Sequence, residues 1–285
     1  MPQVMRISVL ALGLLLGQGA RAYLCSRVPP AGPSLYWNTR EVSFALNAEG
    51  DPRITDGSEL EASRLSFATW AAVACTDLRF VEQALTSARL VGYNWRDPAQ
   101  NENLVVWRSG RQSDPSDAWR HEPGSIAVTT TTFKSRSGEL LDADVEFNAE
   151  VYTFTACTPP EIGCTVQYDV QNTLTHEIGH VIGLDHPPLT QPGVTDTTMY
   201  QSAPRGELKK RDLDPDDEEG LCFIYPAGGP AGQCDPASPD RGPEPIIKQV
   251  GSDPDTGCVC RGAGATGLAP ALLLILLLAV RRRLN

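Results

Sequence analysis

Positive charge is scarce in this chain. Its 285 residues carry 24 Lys and Arg against 35 Asp and Glu, a formal net charge of −11. A nucleic acid offers phosphates that require a basic face, so a nucleic-acid partner is excluded. The acidity itself, densest from Asp212 to Glu219, reads as solubility. Internal repeats are missing. So is any CxxC spacing among the six cysteines of the body (Cys25, Cys75, Cys157, Cys164, Cys222 and Cys234), which argues against a cysteine-bound metal. The apolar run Ile7–Leu16 is too short to span a bilayer. Ala22-Tyr23-Leu24-Cys25 has no small residue just before the cysteine, so lipoprotein processing is set aside.

What is present is the outline of an exported protein. Residues 1–22 read as a signal peptide, with Arg6, the short apolar run and small residues at Ala20 and Ala22, and cleavage is expected after Ala22. Export permits disulfides. Six cysteines allow fifteen pairings, of which Cys157–Cys164 is favoured because the two flank a turn-like stretch. Residues 227–257, rich in Pro, Gly, Asp and Ser, read as a linker, leaving 23–226 as one domain. Beyond it, Cys258-Val259-Cys260 precedes the apolar Leu268–Val280 and the cluster Arg281-Arg282-Arg283. With Gly262–Gly267 that run approaches the length of a membrane span, and the arginines put its end in the cytoplasm. This order resembles the C-terminal sorting tails of myxobacterial surface proteins; a plain membrane anchor is the other reading. Either way the body is expected outside the cell, attached to its surface.

Within the domain, Val42, Phe44 and Leu46 alternate with polar residues as a half-buried strand. Ser58-Glu59-Leu60-Glu61 matches a capping box, and Leu65, Trp70 and Val73 continue one apolar face, predicting a helix to about Ala74. Leu78–Val81, Leu104–Trp107, Ile126–Val128 and Val145–Phe147 read as further strands. A second helix is expected from Asp169 and a third from Asp214-Pro215, with proline at its first position. The fold class is α+β, a twisted mixed sheet carrying helices.

The chemistry lies in the second helix. His176 and His180, four residues apart, project from one face and reach one metal, while Glu177 can face a water beside it. Gly183 can end the helix in a left-handed conformation and turn the chain so that His186 returns as a third nitrogen. Three histidines leave a fourth position of a tetrahedral zinc open, the arrangement of catalytic rather than structural sites. Downstream, Thr197-Thr198-Met199-Tyr200 suits a methionine turn with Met199 beneath the metal.

Taken together, His176, Glu177, His180, Gly183, His186 and Met199 resemble the metzincin metalloproteases, and within them the bacterial relatives of the matrixins. The resemblance spans most of Val42–Tyr225 and implies a five-stranded sheet, an active-site helix and a C-terminal helix. It implies a zinc endopeptidase for protein or peptide substrates, with Glu177 as catalytic base and one zinc on His176, His180 and His186. Substrate is expected along an edge strand over 126–132, with side-chain preference set by the loop between Met199 and Leu213. A monomer is expected. Pro187 departs from the serine usual after the third histidine, and Tyr200 is not assigned as a ligand. His121 alone remains for a second, structural zinc of the animal type, which the count excludes. Asp142, Asp144 and Glu146 read as a solvated strand face, with calcium binding as the other reading. Cys25-Ser26-Arg27-Val28-Pro29 does not match the zinc-blocking motif of matrixin zymogens, and Cys25 is expected in a disulfide. The rival to an enzyme is a surface-displayed adhesion module stabilised by zinc, against which Glu177 argues, since a structural site needs no base.

Overall fold

Why the chain pairs as it does follows from where its β-branched and aromatic residues fall. A computed structural model describes residues 23–157, 163–232 and 234, with the short paired stretches Lys248–Gln249 and Cys258–Val259. The signal segment 1–22, the apolar tail 260–285 and most of the linker lie outside the described residues. Among the described residues no helix is long and apolar enough to cross a membrane.

A two-residue strand β1 (Leu24–Cys25) precedes β2 (Glu41–Leu46), helix α1 (Ser58–Ala71), β3 (Arg79–Glu82), β4 (Leu104–Trp107), β5 (Ala127–Phe133) and β6 (Leu140–Phe147). Five of these form one sheet in the order β3-β2-β4-β6-β5. The β2–β3, β2–β4 and β4–β6 pairs are parallel, and β5 runs antiparallel to β6 as the edge strand. The mixed α+β architecture expected from the sequence is therefore present, with five strands in its sheet. β5 is longer than the short apolar run Ile126–Val128 suggested, because Thr129–Thr132 continue it. Their branched side chains fit a pleated surface although they lack hydrophobic alternation.

After the sheet come β7 (Phe154–Thr155), the single-turn α2 (Gly163–Val166), β8 (Tyr168–Asp169), α3 (Val170–Val181), β9 (Leu184–Asp185) and α4 (Pro215–Ile224). α3 starts where Asp169 caps it, its carboxylate accepting from the Asn172 amide at 2.7 Å. α4 starts on Asp214, whose side chain accepts from the Asp216 amide, with Pro215 next. The capping box expected at Ser58 does not form. Gly57 is the cap, with φ 72° and no side-chain bond, and Ser58 binds Asp56 instead. Nor is Leu65 on the buried face, being 47% exposed. α1 instead buries Ala62, Ser63, Ser66, Phe67 and Trp70. Small residues there let α1 approach α3, and the Ser66 hydroxyl reaches the Gln171 carbonyl at 3.2 Å.

Both helices sit against the sheet, and α3 is buried along nearly its whole length. Its C-terminal carbonyls, which lack helical partners, are met by side chains. Trp37 Nε1 donates to Val181 O at 2.8 Å and Tyr225 Oη to Ile182 O at 2.9 Å. Farther back, within the helix, Trp70 Nε1 of α1 donates to Thr175 O at 2.8 Å. Three disulfides close the body: Cys157–Cys164 as favoured, Cys75–Cys222 and Cys25–Cys234. The last binds Cys234, within the compositional linker, to the domain. Residues ahead of it are tied down too: Arg40 Nη2 donates to Gly229 O at 2.5 Å, and Gly232 N to Ile224 O at 2.9 Å.

Candidate metal centre

α3 carries His176 and His180 one turn apart, so their rings leave the same face. At its C-terminal end Gly183 adopts φ 96°, and its amide returns to His180 O at 3.0 Å. The chain reverses into β9, which pairs with β1 in the register Leu24↔Asp185, Cys25↔Leu184. That strand delivers His186. The Nε2 atoms of His176 and His180 each lie 3.1 Å from Nε2 of His186. The three histidines are a group able to hold a metal ion, two buried and one half-buried.

The tautomers agree with that use. His176 Nδ1 donates to Thr198 O at 2.8 Å and His180 Nδ1 to Leu184 O at 2.9 Å. Each leaves an Nε2 lone pair turned toward the centre, the usual outer-shell arrangement around a ligating imidazole. Burial holds the His176 and His186 imidazoles well below their ordinary pKa, so they stay neutral. Neutral nitrogen donors converging at this spacing fit a borderline-soft ion such as Zn2+.

Glu177 is buried beside them. Its Oε2 accepts from Thr129 Oγ1 of β5 at 2.6 Å, and its carboxyl is pushed up, chiefly by burial. Met199 is fully buried against α3. A Cβ on Gly179 would come within 2.1 Å of its sulfur, so only glycine lets the chain after Thr198 pass this close. The turn is held from α4, where Asp217 accepts from the Thr198 amide at 2.6 Å and the Met199 amide at 3.3 Å. Burial raises the Asp217 carboxyl to about 7.

A cleft of about 360 Å³ opens at this point, lined by Ser125, Ile126 and Ala127 on one side and Gln201, Ser202 and Ala203 on the other. Tyr168, Asn172, His176, Glu177 and Lys210 also border it. Edge strand β5 and the segment after Met199 thus flank the histidines, where the sequence expected a strand and a specificity loop. Thr129, Asp217 and Lys210 were not singled out from the sequence. Nothing about a threonine in a threonine run, or a lysine between Lys209 and Arg211, marks it without the tertiary contact.

The acidic trio on β6 corrects the expectation of a solvated face. Asp142, Asp144 and Glu146 are all buried. Nor do they converge as one site, because Glu146 is taken by Arg108 Nε at 2.5 Å and His121 Nε2 at 2.7 Å. Asp144 accepts from the Gly92 and Leu104 amides and Asp142 from Asn101 Nδ2. Burial raises both carboxyls, Asp142 to about 6.

The chain matches the family model described as Matrixin over residues 36–226. It is also 26% identical over 199 residues to Metalloendoproteinase 2-MMP of Arabidopsis thaliana, an alignment covering 70% of this chain and 44% of that protein. The chain thus spans less than half the length of that relative. The match runs from Tyr36, just ahead of β2, to Pro226, just past α4, and includes the three histidines, and on it this chain belongs to the matrixin family.

Proposed function

We propose that this chain is a zinc-dependent endopeptidase, exported and held at the cell surface, that hydrolyses internal peptide bonds in protein or peptide substrates. The observation that carries the reading is the convergence of three imidazole Nε2 atoms beside a buried glutamate at the floor of an open cleft. His176, His180 and His186 would hold the ion, and Met199 packs against Gly179 of the helix that carries two of them. Zinc in such a site supplies Lewis acidity, polarising the scissile carbonyl and bringing the pKa of water down toward neutrality.

The protein's own groups do the rest. Glu177 accepts a proton from the attacking water and returns it to the departing amine as general base and then acid. Thr129 Oγ1, donating to Glu177 Oε2, fixes which carboxylate oxygen is free for that transfer. β5, as the edge strand, offers main-chain groups along which an extended substrate pairs, which gives affinity with little sequence preference. Export and surface attachment are supported by the signal-like residues 1–22 and the cysteine, apolar and arginine order of the C-terminal tail.

The test is cleavage of casein by the zinc-loaded chain, with and without a chelator, beside Glu177→Ala. Chelation is expected to stop cleavage. Glu177→Ala is expected to retain one zinc and an unchanged melting temperature while losing at least about 10²-fold in kcat/KM. A Glu177→Ala protein that cleaves as fast as the parent would remove Glu177 from the mechanism.

A further inference from the structure

Lys210 is a buried cation bordering the cleft. Its side chain is 2% exposed, yet it stands with His176, Glu177 and Ser202 on the cleft wall. An ammonium has three protons to donate. Two are used on the wall itself, toward the carbonyls of Tyr200 and Ser202, the latter at 3.1 Å. The nearest carboxylate, Glu207, lies 4.0 Å away, beyond hydrogen-bond length, and is shared with Lys209 at 3.7 Å. The ammonium also lies 5.9 Å from the centroid of the Tyr200 ring, but its third proton has no oxygen acceptor within bonding distance among the described residues. A buried charge left partly unpaired is costly, so its place beside the histidines calls for a use.

We propose that Lys210 selects substrates carrying an acidic side chain, Glu or Asp, at a residue flanking the scissile bond. This rests on the peptidase reading above. A carboxylate entering the cleft accepts the third ammonium proton in a charge-assisted bond, worth more in a desolvated pocket than at an open surface. The rest of the lining agrees: Gln201 adds a polar side chain, and Tyr168 a hydroxyl-bearing ring. Burial lowers the Lys210 pKa to about 8, which leaves the ammonium charged at neutral pH. Glu207 and Asp217 are the acidic groups whose fields offset that loss along with Glu177.

The experiment is digestion of a randomised peptide library by the full, zinc-loaded chain, with cleavage sites read by mass spectrometry. Glu and Asp are expected to be enriched about tenfold at one position next to the cut. Lys210→Met should still cleave but lose that enrichment, and Lys210→Arg should keep it. Cleavage by the parent without acidic enrichment, or enrichment that survives in Lys210→Met, overturns the assignment. A purely structural lysine, pinning the wall through Tyr200 and Ser202, would depress all substrates alike.

A binding measurement separates this from failure of the peptidase reading. Zinc-loaded Glu177→Ala, with Lys210 intact, is titrated with matched peptides bearing Glu or Gln at that position. About tenfold tighter binding of the Glu peptide supports the role of Lys210 even if the parent cuts nothing, and equal affinity overturns it.

Discussion

Gly183 carries two constraints at once. Its φ of 96° is left-handed, and a Cβ there would lie 2.3 Å from the Leu35 carbonyl oxygen. Neither is open to an L-residue without backbone movement. The same residue turns the chain from α3 toward His186, so strain here is transmitted to the proposed third ligand. Gly183→Ala is expected to destabilise the fold by about 1–3 kcal/mol and to weaken zinc binding as well. Thermal melting and zinc competition with a chromophoric chelator measure the two separately. A variant with lowered stability and unchanged zinc affinity would show that His186 is placed by β9 alone. At this scale the sequence was most legible where chemistry demands a residue type, as at the histidines, Glu177 and this glycine. Thr129, Asp217 and Lys210 could not be read, because their partners lie dozens of residues away in sequence or are backbone atoms.

Between elements, a pairing of only two residues has the most direct bearing on the site. β1 pairs with β9 one residue ahead of His186, the Ser26 amide and hydroxyl bind Gly183 O and Leu184 O, and Cys25 is bonded to Cys234. The disulfide closes 209 residues of chain and anchors β1 at the same time. Replacing both cysteines by serine is expected to cost about 2–5 kcal/mol of stability and to loosen the β9 strand behind His186. Zinc should then leave for a competing chelator several-fold faster than from the parent, at a temperature where both are folded. Equal release rates would limit the bridge to fold stability. Helix starts at Asp169 and Asp214-Pro215 were readable because caps are local. α1 misled at Ser58 and Leu65, since which face of a weakly amphipathic helix is buried depends on the α3 surface opposite.

Across the molecule, the buried acids of β6 set a pH dependence. Asp142 and Asp144 lie two residues apart on one face of the strand, and Asp142 Oδ2 has no donor unless one carboxyl of the pair is protonated. Burial therefore favours a proton held between them. The Asp142 pKa rises from 3.8 unfolded to about 6 in the fold. The folded state binds the proton more tightly, so the stabilisation is complete below about pH 3.8 and is lost as pH rises through about 6. Asp142→Asn retains an acceptor for Asn101 and abolishes that loss. Its stability relative to the parent should climb between pH 4 and pH 7 by something on the order of 2 kcal/mol, read from denaturant melts in chelator. Calcium is expected to leave the parent's melting temperature unmoved. A calcium-dependent rise that vanishes in Asp142→Asn would place a cation, rather than a proton, between the two carboxyls.

The amino-acid sequence by itself determined the α+β class and the spacing that puts His176, Glu177 and His180 on one helix, and it favoured Cys157–Cys164 among the possible bridges. Each of these depends on spacing along a single element or on neighbours in the chain. Local periodicity and capping are expressed before any tertiary contact forms. Only the folded structure decided that Lys210 borders the cleft, that Asp142 and Asp144 are buried together, and that Cys25 reaches Cys234 beneath the strand that presents His186. Those relations join residues across packed surfaces, where burial shifts pKa values and shape decides contact, and no one-dimensional pattern carries that information.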